Sequence, residues 1–295
     1  MQSISDIKRR IHSIQQTRQI TKAMYLISTV KLRKALNRYE KNSKYIEKIR
    51  ATIKDILIHA GEIHHPFLEQ RSGQRTAFLV IAGDKGLAGA YNHNVLNEAL
   101  RQISQSRETY IFTIGHVATQ FLNRKGNEVD IEFLHTAQDP QIFNAKMIAD
   151  TLADMYEQDL VDRIAVVYTH MYSTFNQQPR TLTLLPMDLE SLGDVEAEYQ
   201  YRGTVIYEPS PEIVYKTLVE QYLVGMLYAV LVQAYASEQS ARMRAMDSAT
   251  ENAEKMMDNL DQEFRRARQA AITNEIIEIV SGTNTVRNAR NKGRA

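Results

Sequence analysis

The glycine-rich segment at residues 83–89 is the part of the sequence most like a phosphate-binding loop. It follows a short apolar run and precedes a helical pattern, which is where α/β folds bind phosphate groups. However, its glycines do not match the spacing G-x-G-x-x-G, and no G-K-[ST] follows. We therefore expect a structural turn rather than a nucleotide site. Asp84 lies in this segment without a partnered base or nucleophile, so we expect it to stabilise a turn or cap a helix.

Metal and thiol chemistry have little support in the sequence. The eight histidines are scattered, and His64 and His65 are adjacent, which does not place them on one helical face. No H-E-x-x-H motif occurs. Because the chain has no cysteine, disulfides, thiolate zinc sites and cysteine nucleophiles are excluded.

Charge is distributed unevenly along the chain, although the net charge is only +1. The first 54 residues contain fourteen basic and three acidic residues, so they carry about +11 and the remainder about −10. Such a segment is either the solvated face of a coiled coil or a basic surface for an acidic protein or nucleic acid. No aromatic platform for stacking bases interleaves this basic stripe, which weakens the case for single-stranded nucleic acid.

Long helices are predicted at both ends of the chain. Residues 3–59 contain neither Gly nor Pro, and Ile4, Ile7, Ile11 and Ile14 follow the spacing of a coiled-coil seam. From residue 212 to residue 281 there is no Pro and one Gly. An alanine-rich seam there lets two helices approach closely, and Gly282 is expected to end the helix. Two such helices at opposite ends predict an antiparallel coiled coil.

The middle of the chain alternates between apolar runs and helical patterns. Five strands are predicted, at residues 77–82, 110–114, 129–134, 164–168 and 180–185. Helical segments at residues 92–105, 116–125 and 140–158 lie between the first four. This alternation predicts a Rossmann-like α/β domain with a mostly parallel five-stranded sheet.

These patterns give a fold class and a set of boundaries. The class is α/β with long helices, in which the N- and C-terminal helices form a coiled coil flanking the α/β domain. We assign residues 1–60 and 212–282 to the two coiled-coil helices and 75–190 to the α/β domain. Residues 191–211 are a connection, and 283–295 are a basic tail expected to be disordered.

The most apolar stretch, residues 223–236, is too short to cross a bilayer and contains Gln233. We expect it to be a buried helix. The N-terminal residues have no signal-type apolar core, which argues against secretion.

Motifs at both ends of the chain resemble the gamma subunit of F-type ATP synthases of the bacterial type. They include IHSIQQTRQITKAM at residues 11–24, SEQSARMRAM at 237–246 and RARQAAITNEIIEIVSG at 266–282. The segment DKGLAGAYN at residues 84–92 matches the family's loop after its first strand. Two differences, Gly83 for the usual Ser and Ala88 for a frequent Cys, lie in this noncatalytic loop. The resemblance covers essentially the whole chain.

The resemblance implies a rotor shaft that transmits torque between the membrane c ring and the catalytic hexamer. Its partners would be three alpha and three beta subunits, the epsilon subunit and the c-subunit ring. The chain itself would hold no catalytic residue, cofactor or metal, and would bind no nucleic acid and no small-molecule substrate. It would lie peripherally on the cytoplasmic side of the bacterial plasma membrane.

The resemblance also implies roles for particular residues. The residues expected to contact beta subunits and couple rotation to catalysis are Lys22, Met24, Arg242, Arg268, Gln269 and Thr273. Those expected to form a hydrophobic bearing are Ile276, Ile277, Ile279 and Val280. Tyr207 and Glu208 are expected to form the foot that meets the c ring and epsilon. The basic first helix would face an acidic segment of beta.

Two other classes of function stay open on the residues alone. One is a nucleotide-dependent α/β enzyme, and the other is a coiled-coil adaptor or nucleic-acid binder that uses the basic first helix. An ATP titration tests the first, and the salt dependence of DNA binding tests the second.

Overall fold

A computed structural model describes residues 4–59, 65–134, 136–187 and 207–292, with side chains up to residue 281. The five α-helices of these residues are α1 (Ile4–His59), α2 (Tyr91–Ser104), α3 (His116–Arg124), α4 (Ile142–Glu157) and α5 (Pro211–Lys292). The five strands are β1 (Arg75–Ile81), β2 (Glu108–Ile114), β3 (Ile131–Phe133), β4 (Arg163–Met171) and β5 (Gln177–Leu185). A short 3₁₀ helix, Pro66–Leu68, precedes β1.

The five strands form one sheet in the order β3-β2-β1-β4-β5. The first four are parallel, with Phe78 of β1 opposite Ile111 of β2 and Ala165 of β4. The fifth strand pairs antiparallel with β4, with Val166 opposite Leu182, after a hairpin. This order confirms the prediction of a mostly parallel, Rossmann-like sheet, because every connection between parallel strands contains a helix.

Each face of the sheet is covered by its own hydrophobic layer. On one face, side chains of β1, β2 and β4 pack against α2 and α3, around Phe78, Val95 and Leu122. On the other face, Leu79 and Phe112 join a larger core with α4 and with parts of α1 and α5. Burial on both faces explains why the central strands read as continuous apolar runs.

The chain divides into two compact units, Ile27–Ala245 and the pair Met1–Leu26 with Met246–Ala295. Within the first unit, α1 and α5 pack closely at Gly225, the one glycine of α5 before residue 282. Asn42 donates its side-chain N–H to the Gly225 carbonyl at 3.0 Å. A Cβ at position 225 would lie 3.2 Å from Cγ1 of Ile46, so the absence of a side chain allows this approach.

In the second unit, the start of α1 pairs with the distal part of α5. Arg18 forms an ion pair with Glu254 at 2.8 Å, and Thr21 hydrogen-bonds Thr250 at 2.8 Å. Because residue numbers rise along α1 while their partners fall along α5, the helices are antiparallel. The predicted antiparallel pairing is therefore confirmed in this unit. It holds in the other unit too, where Asn42 contacts Gly225 and Tyr45 contacts Gln221.

The end of α5 differs from the expectation. Gly282 does not end the helix, which continues to Lys292 through most of the segment expected to be disordered. A glycine inside a helix costs only about 1 kcal/mol relative to alanine, so the flanking residues can carry the helix through it. Of the predicted connection at 191–211, residues 191–206 lie outside the described residues, and α5 begins at Pro211.

By length and composition, α5 contains a window apolar enough to cross a membrane, but 56% of that window is buried inside the protein. The apolar stretch at residues 223–236 supplies Leu227, Val230 and Leu231 to the larger core. The expectation that it is a buried helix is confirmed.

Candidate functional site

The glycine-rich segment at residues 83–89 is a turn held by its own hydrogen bonds. The backbone N–H of Gly83 donates to Oδ1 of Asn92 at 2.9 Å, and Nδ2 of Asn92 donates to the Lys85 carbonyl at 3.3 Å. Oδ1 of Asp84 accepts the backbone N–H of His116, the first residue of α3, at 3.1 Å. Asp84 therefore caps a neighbouring helix, as expected.

This turn lies where an open α/β sheet usually binds its ligand. The connections from β1 and β4 leave the sheet in opposite directions, so the crevice at their carboxyl ends is the topological switch point. In this chain α5 lies along that crevice. Ser237 Oγ donates to the carbonyl of Thr169, near the end of β4, and Tyr91 OH donates to the Ala234 carbonyl, both at 3.1 Å. The protein thus fills its own ligand-binding position with a helix.

The hairpin between β4 and β5 also contacts α5. Ser240 Oγ donates to the Thr174 carbonyl at 3.1 Å. Arg244 donates to the Phe175 carbonyl at 3.4 Å and to the Gln177 side chain at 3.3 Å. Two loops therefore hold one stretch of α5, which contains the buried polar residues Gln233, Ser237, Glu238, Gln239 and Ser240.

A buried ion pair lies at the centre of this contact. Arg242 Nη2 is 2.6 Å from Glu238 Oε1, and the two side chains are 12% and 8% exposed. The same Nη2 donates to the Gly86 carbonyl at 3.2 Å. Burial raises the pKa of Glu238, although the neighbouring Arg242 opposes this shift. Burial likewise raises the pKa of Tyr91 well above its usual value.

The residues expected to contact beta subunits lie in different environments. Lys22, Arg268 and Gln269 are exposed, and Met24 is partly buried. Thr273 is exposed, and its hydroxyl donates to the Gln269 carbonyl at 2.9 Å. Arg242 differs from these, because its guanidinium is engaged inside its own subunit.

The side chains expected to form the bearing and the foot also differ in how exposed they are. Ile276, Ile277, Ile279 and Val280 are between 53% and 69% exposed on α5. Glu208 is exposed, whereas Tyr207 packs against the larger core and its hydroxyl is buried. Burial, together with the nearby Asp55, raises the pKa of Tyr207.

Sequence reasoning missed Glu238 as a site residue. The signal was available: a polar run directly after the most apolar stretch of an unbroken helix indicates that polar side chains there face protein. What the sequence could not give was the identity of the partner, since the turn at residues 83–89 is about 150 positions away.

Among the described residues, no group of three or more His, Cys, Asp or Glu side chains could hold a metal ion. The site is a contact between a helix and two loops.

Comparison with known proteins identifies the family. A family model described as ATP synthase matches residues 3–286. The ATP synthase gamma chain of Acetivibrio thermocellus is 39% identical over 296 residues, covering 97% of this chain and all of that one. The gamma chain of Ruminiclostridium cellulolyticum is 41% identical over 290 residues, covering 96% and 99%.

The chain belongs to the ATP synthase gamma chain family. A gamma chain is a stalk subunit of the complex and is not itself the catalytic one. The complex to which it belongs is membrane-bound.

Solved structures support the fold. A chain of the mitochondrial ATP synthase of Euglena gracilis, in an OSCP/F1/c-ring structure, has a TM-score of 0.69 at 14% identity, covering 97% of this chain and 95% of that one. A chain of the central stalk and c-ring structure from Tetrahymena thermophila has a TM-score of 0.57 at 20% identity, covering 78% and 99%. The fold class predicted from the sequence is confirmed.

Proposed function

We infer that this chain is the rotor subunit of an ATP synthase central stalk and transmits torque between the c ring and the catalytic alpha/beta hexamer. The observation that carries this function is the full-length match to bacterial gamma chains.

Exposed apolar side chains support a partner around the distal part of α5. Isoleucine side chains that remain more than half exposed on a helix need a protein surface to cover them. A hydrophobic sleeve in the alpha/beta hexamer would provide that cover without fixed polar bonds, which suits a turning shaft. Arg268, Gln269 and Thr273 precede this tip and are exposed, so they are available for hydrogen bonds to beta that change with rotation.

The basic face of α1 supports an acidic partner. Ten of the fourteen basic residues in the first 54 positions are exposed, among them Lys22, Lys31, Arg33 and Lys34. A surface of that charge is complementary to an acidic beta-subunit segment and increases the rate of association. We propose that Lys22 and Met24 lie in this contact.

Family membership supports a proposal for the remaining contacts. Epsilon and the c ring would meet the α/β domain and the adjoining parts of the two helices, with Glu208 and Tyr207 at the foot. We propose, from the resemblance to bacterial gamma chains, that the complex lies on the cytoplasmic side of a bacterial plasma membrane.

Purification of a tagged chain from its own cells, with identification of what accompanies it, tests this function. We expect alpha and beta subunits in equal amounts, at three copies of each per tagged chain, together with epsilon. Recovery of nucleic acid or of unrelated proteins in place of alpha and beta would contradict the rotor function.

Two further measurements separate the alternatives. Calorimetry of the isolated chain with ATP is expected to show no micromolar site, whereas a one-to-one micromolar site would favour an enzyme. An Arg268→Ala variant is expected to weaken coupled ATP synthesis or assembly while leaving nucleotide chemistry in beta unchanged. Wild-type coupling in that variant would contradict the proposed role of Arg268.

A further inference from the structure

The ion pair between Glu238 and Arg242 differs from an ordinary pair on a helix surface. Side chains four residues apart on a helix normally meet in water, where their attraction is weak. Here both side chains are about nine-tenths buried, and the cover comes from the turn at residues 83–89. The pair is therefore part of a contact between α5 and the α/β domain.

The turn is shaped around the carboxylate. A Cβ placed on Gly83 would lie 3.0 Å from Oε1 of Glu238 and 3.1 Å from its Cδ. A side chain at position 83 would therefore be in tight contact with the end of the Glu238 side chain, which would have to shift by a few tenths of an ångström. In doubly wound folds an anionic ligand approaches the first loop of the sheet at this point. Glu238 takes that place as an anion supplied by the chain itself.

Arg242 links α5 to the turn at residues 83–89. Its Nη2 lies between the carboxylate of Glu238 and the carbonyl of Gly86, at 2.6 Å and 3.2 Å. If either side chain were removed, the other would remain buried without its main partner, which is far more unfavourable than loss of an exposed pair. The turn at residues 83–89 is itself fixed to α3 by the hydrogen bond between the backbone N–H of His116 and Asp84. A displacement of α5 therefore meets resistance from the turn and from α3.

We propose that Glu238 and Arg242 are positioning residues that lock the first loop of the α/β domain to α5, so that domain and helix turn as one body. The proposal rests on the rotor function proposed above. It gives Arg242 a role inside its own subunit, whereas the family resemblance implies a contact with beta.

Hydrogen–deuterium exchange in the assembled complex tests the lock directly. The probe is the backbone exchange of peptides that span residues 83–91, and the variants are Arg242→Gln and Glu238→Ala. We expect exchange there to become at least about tenfold faster in both variants. Lys255→Gln, an exposed change on the same helix, is the matched control and should leave it unchanged. Exchange within twofold of wild type in both lock variants would overturn the proposal.

A redox rescue then separates the lock from a contact with beta. Ala88 of the turn and Ala241 of α5 lie in one buried cluster with Tyr91, and the chain has no cysteine of its own. In an Arg242→Gln background, an Ala88→Cys/Ala241→Cys double substitution provides a cross-link between turn and helix. We expect coupled ATP synthesis to be low when the complex is reduced and to recover severalfold when it is oxidised.

The outcomes of this rescue are distinct. If Arg242 acted only on beta, a disulfide inside this subunit would restore nothing, and the proposal would be wrong. Failure of the two cysteines to cross-link, checked by mass spectrometry, would contradict the packed contact on which the proposal rests. Failure of the wild-type chain to enter a complex with alpha and beta would refute the rotor function itself.

Discussion

Replacement of Gly225 by leucine tests the close packing of α1 against α5 in the unit Ile27–Ala245. At this position a Cβ would already be 3.2 Å from Cγ1 of Ile46 and 3.8 Å from its Cδ1. Ile46 is itself 5% exposed, so it has little room to move. A leucine therefore forces the two helices apart.

Three contributions set the change in the free energy of unfolding of the Gly225→Leu variant. Loss of a residue with poor helix propensity stabilises the variant by about 1 kcal/mol. Overpacking of the interface costs about 1–3 kcal/mol. Separation of the helices also breaks the hydrogen bond from Asn42 to the Gly225 carbonyl and leaves a buried amide unpaired, which costs about 1–3 kcal/mol. The net destabilisation is about 3 kcal/mol.

Thermal unfolding of the purified chain measures the effect. The protein has fifteen tyrosines and no tryptophan, so the near-ultraviolet tyrosine signal reports its tertiary packing. A loss of about 3 kcal/mol lowers the melting temperature by about 6–12 °C for a unit of this size. Gly225→Ala is the control, because its gain in propensity and its tighter contact nearly cancel, and it should melt within about 3 °C of wild type. A leucine variant that melts with the wild type would refute the reasoning.

Three other predictions follow from named contacts. The hydrogen bond from the Arg75 guanidinium lowers the pKa of Asp162, so their pair stabilises the fold above about pH 4 and this stability is lost as pH falls through the lowered pKa. Asp162→Asn should therefore have a lower urea midpoint than wild type at pH 7, with the gap closing towards pH 3. Asp84→Ala removes the cap from α3 and should cost about 1 kcal/mol in urea unfolding, whereas an unchanged midpoint would argue against the cap. Ile276→Ser and Ile279→Ser should leave the stability of the isolated chain within about 0.5 kcal/mol, because both side chains are exposed, but should reduce the yield of assembled complex.

The sequence was sufficient to predict the elements of the α/β domain. All five strands and all three helices between them are present. The central parallel strands could be predicted because they are buried on both faces and are therefore continuous apolar runs. The long end helices could be predicted for a related reason, since few residues interrupt them. The predicted end of α5 at Gly282 was wrong, because a single glycine is a weak stop signal when the residues around it favour a helix.

Contacts distant in sequence could not be predicted in this way. The ion pair of Glu238 and Arg242 looks like an ordinary surface pair until the turn at residues 83–89 covers it. The role of Gly83 likewise depends on a carboxylate contributed by another element. Periodicity reports which face of a helix is buried, but it does not report what buries it.

Rotation of single complexes tests the central claim most directly. The hexamer of alpha and beta subunits is fixed to a surface, and a visible probe is attached to the α/β domain of this chain. With ATP supplied, the account predicts rotation of the probe in one direction with three stops in each turn, one for each catalytic beta subunit. A probe that stays stationary while the same complexes hydrolyse ATP would contradict the conclusion that this chain is the rotor.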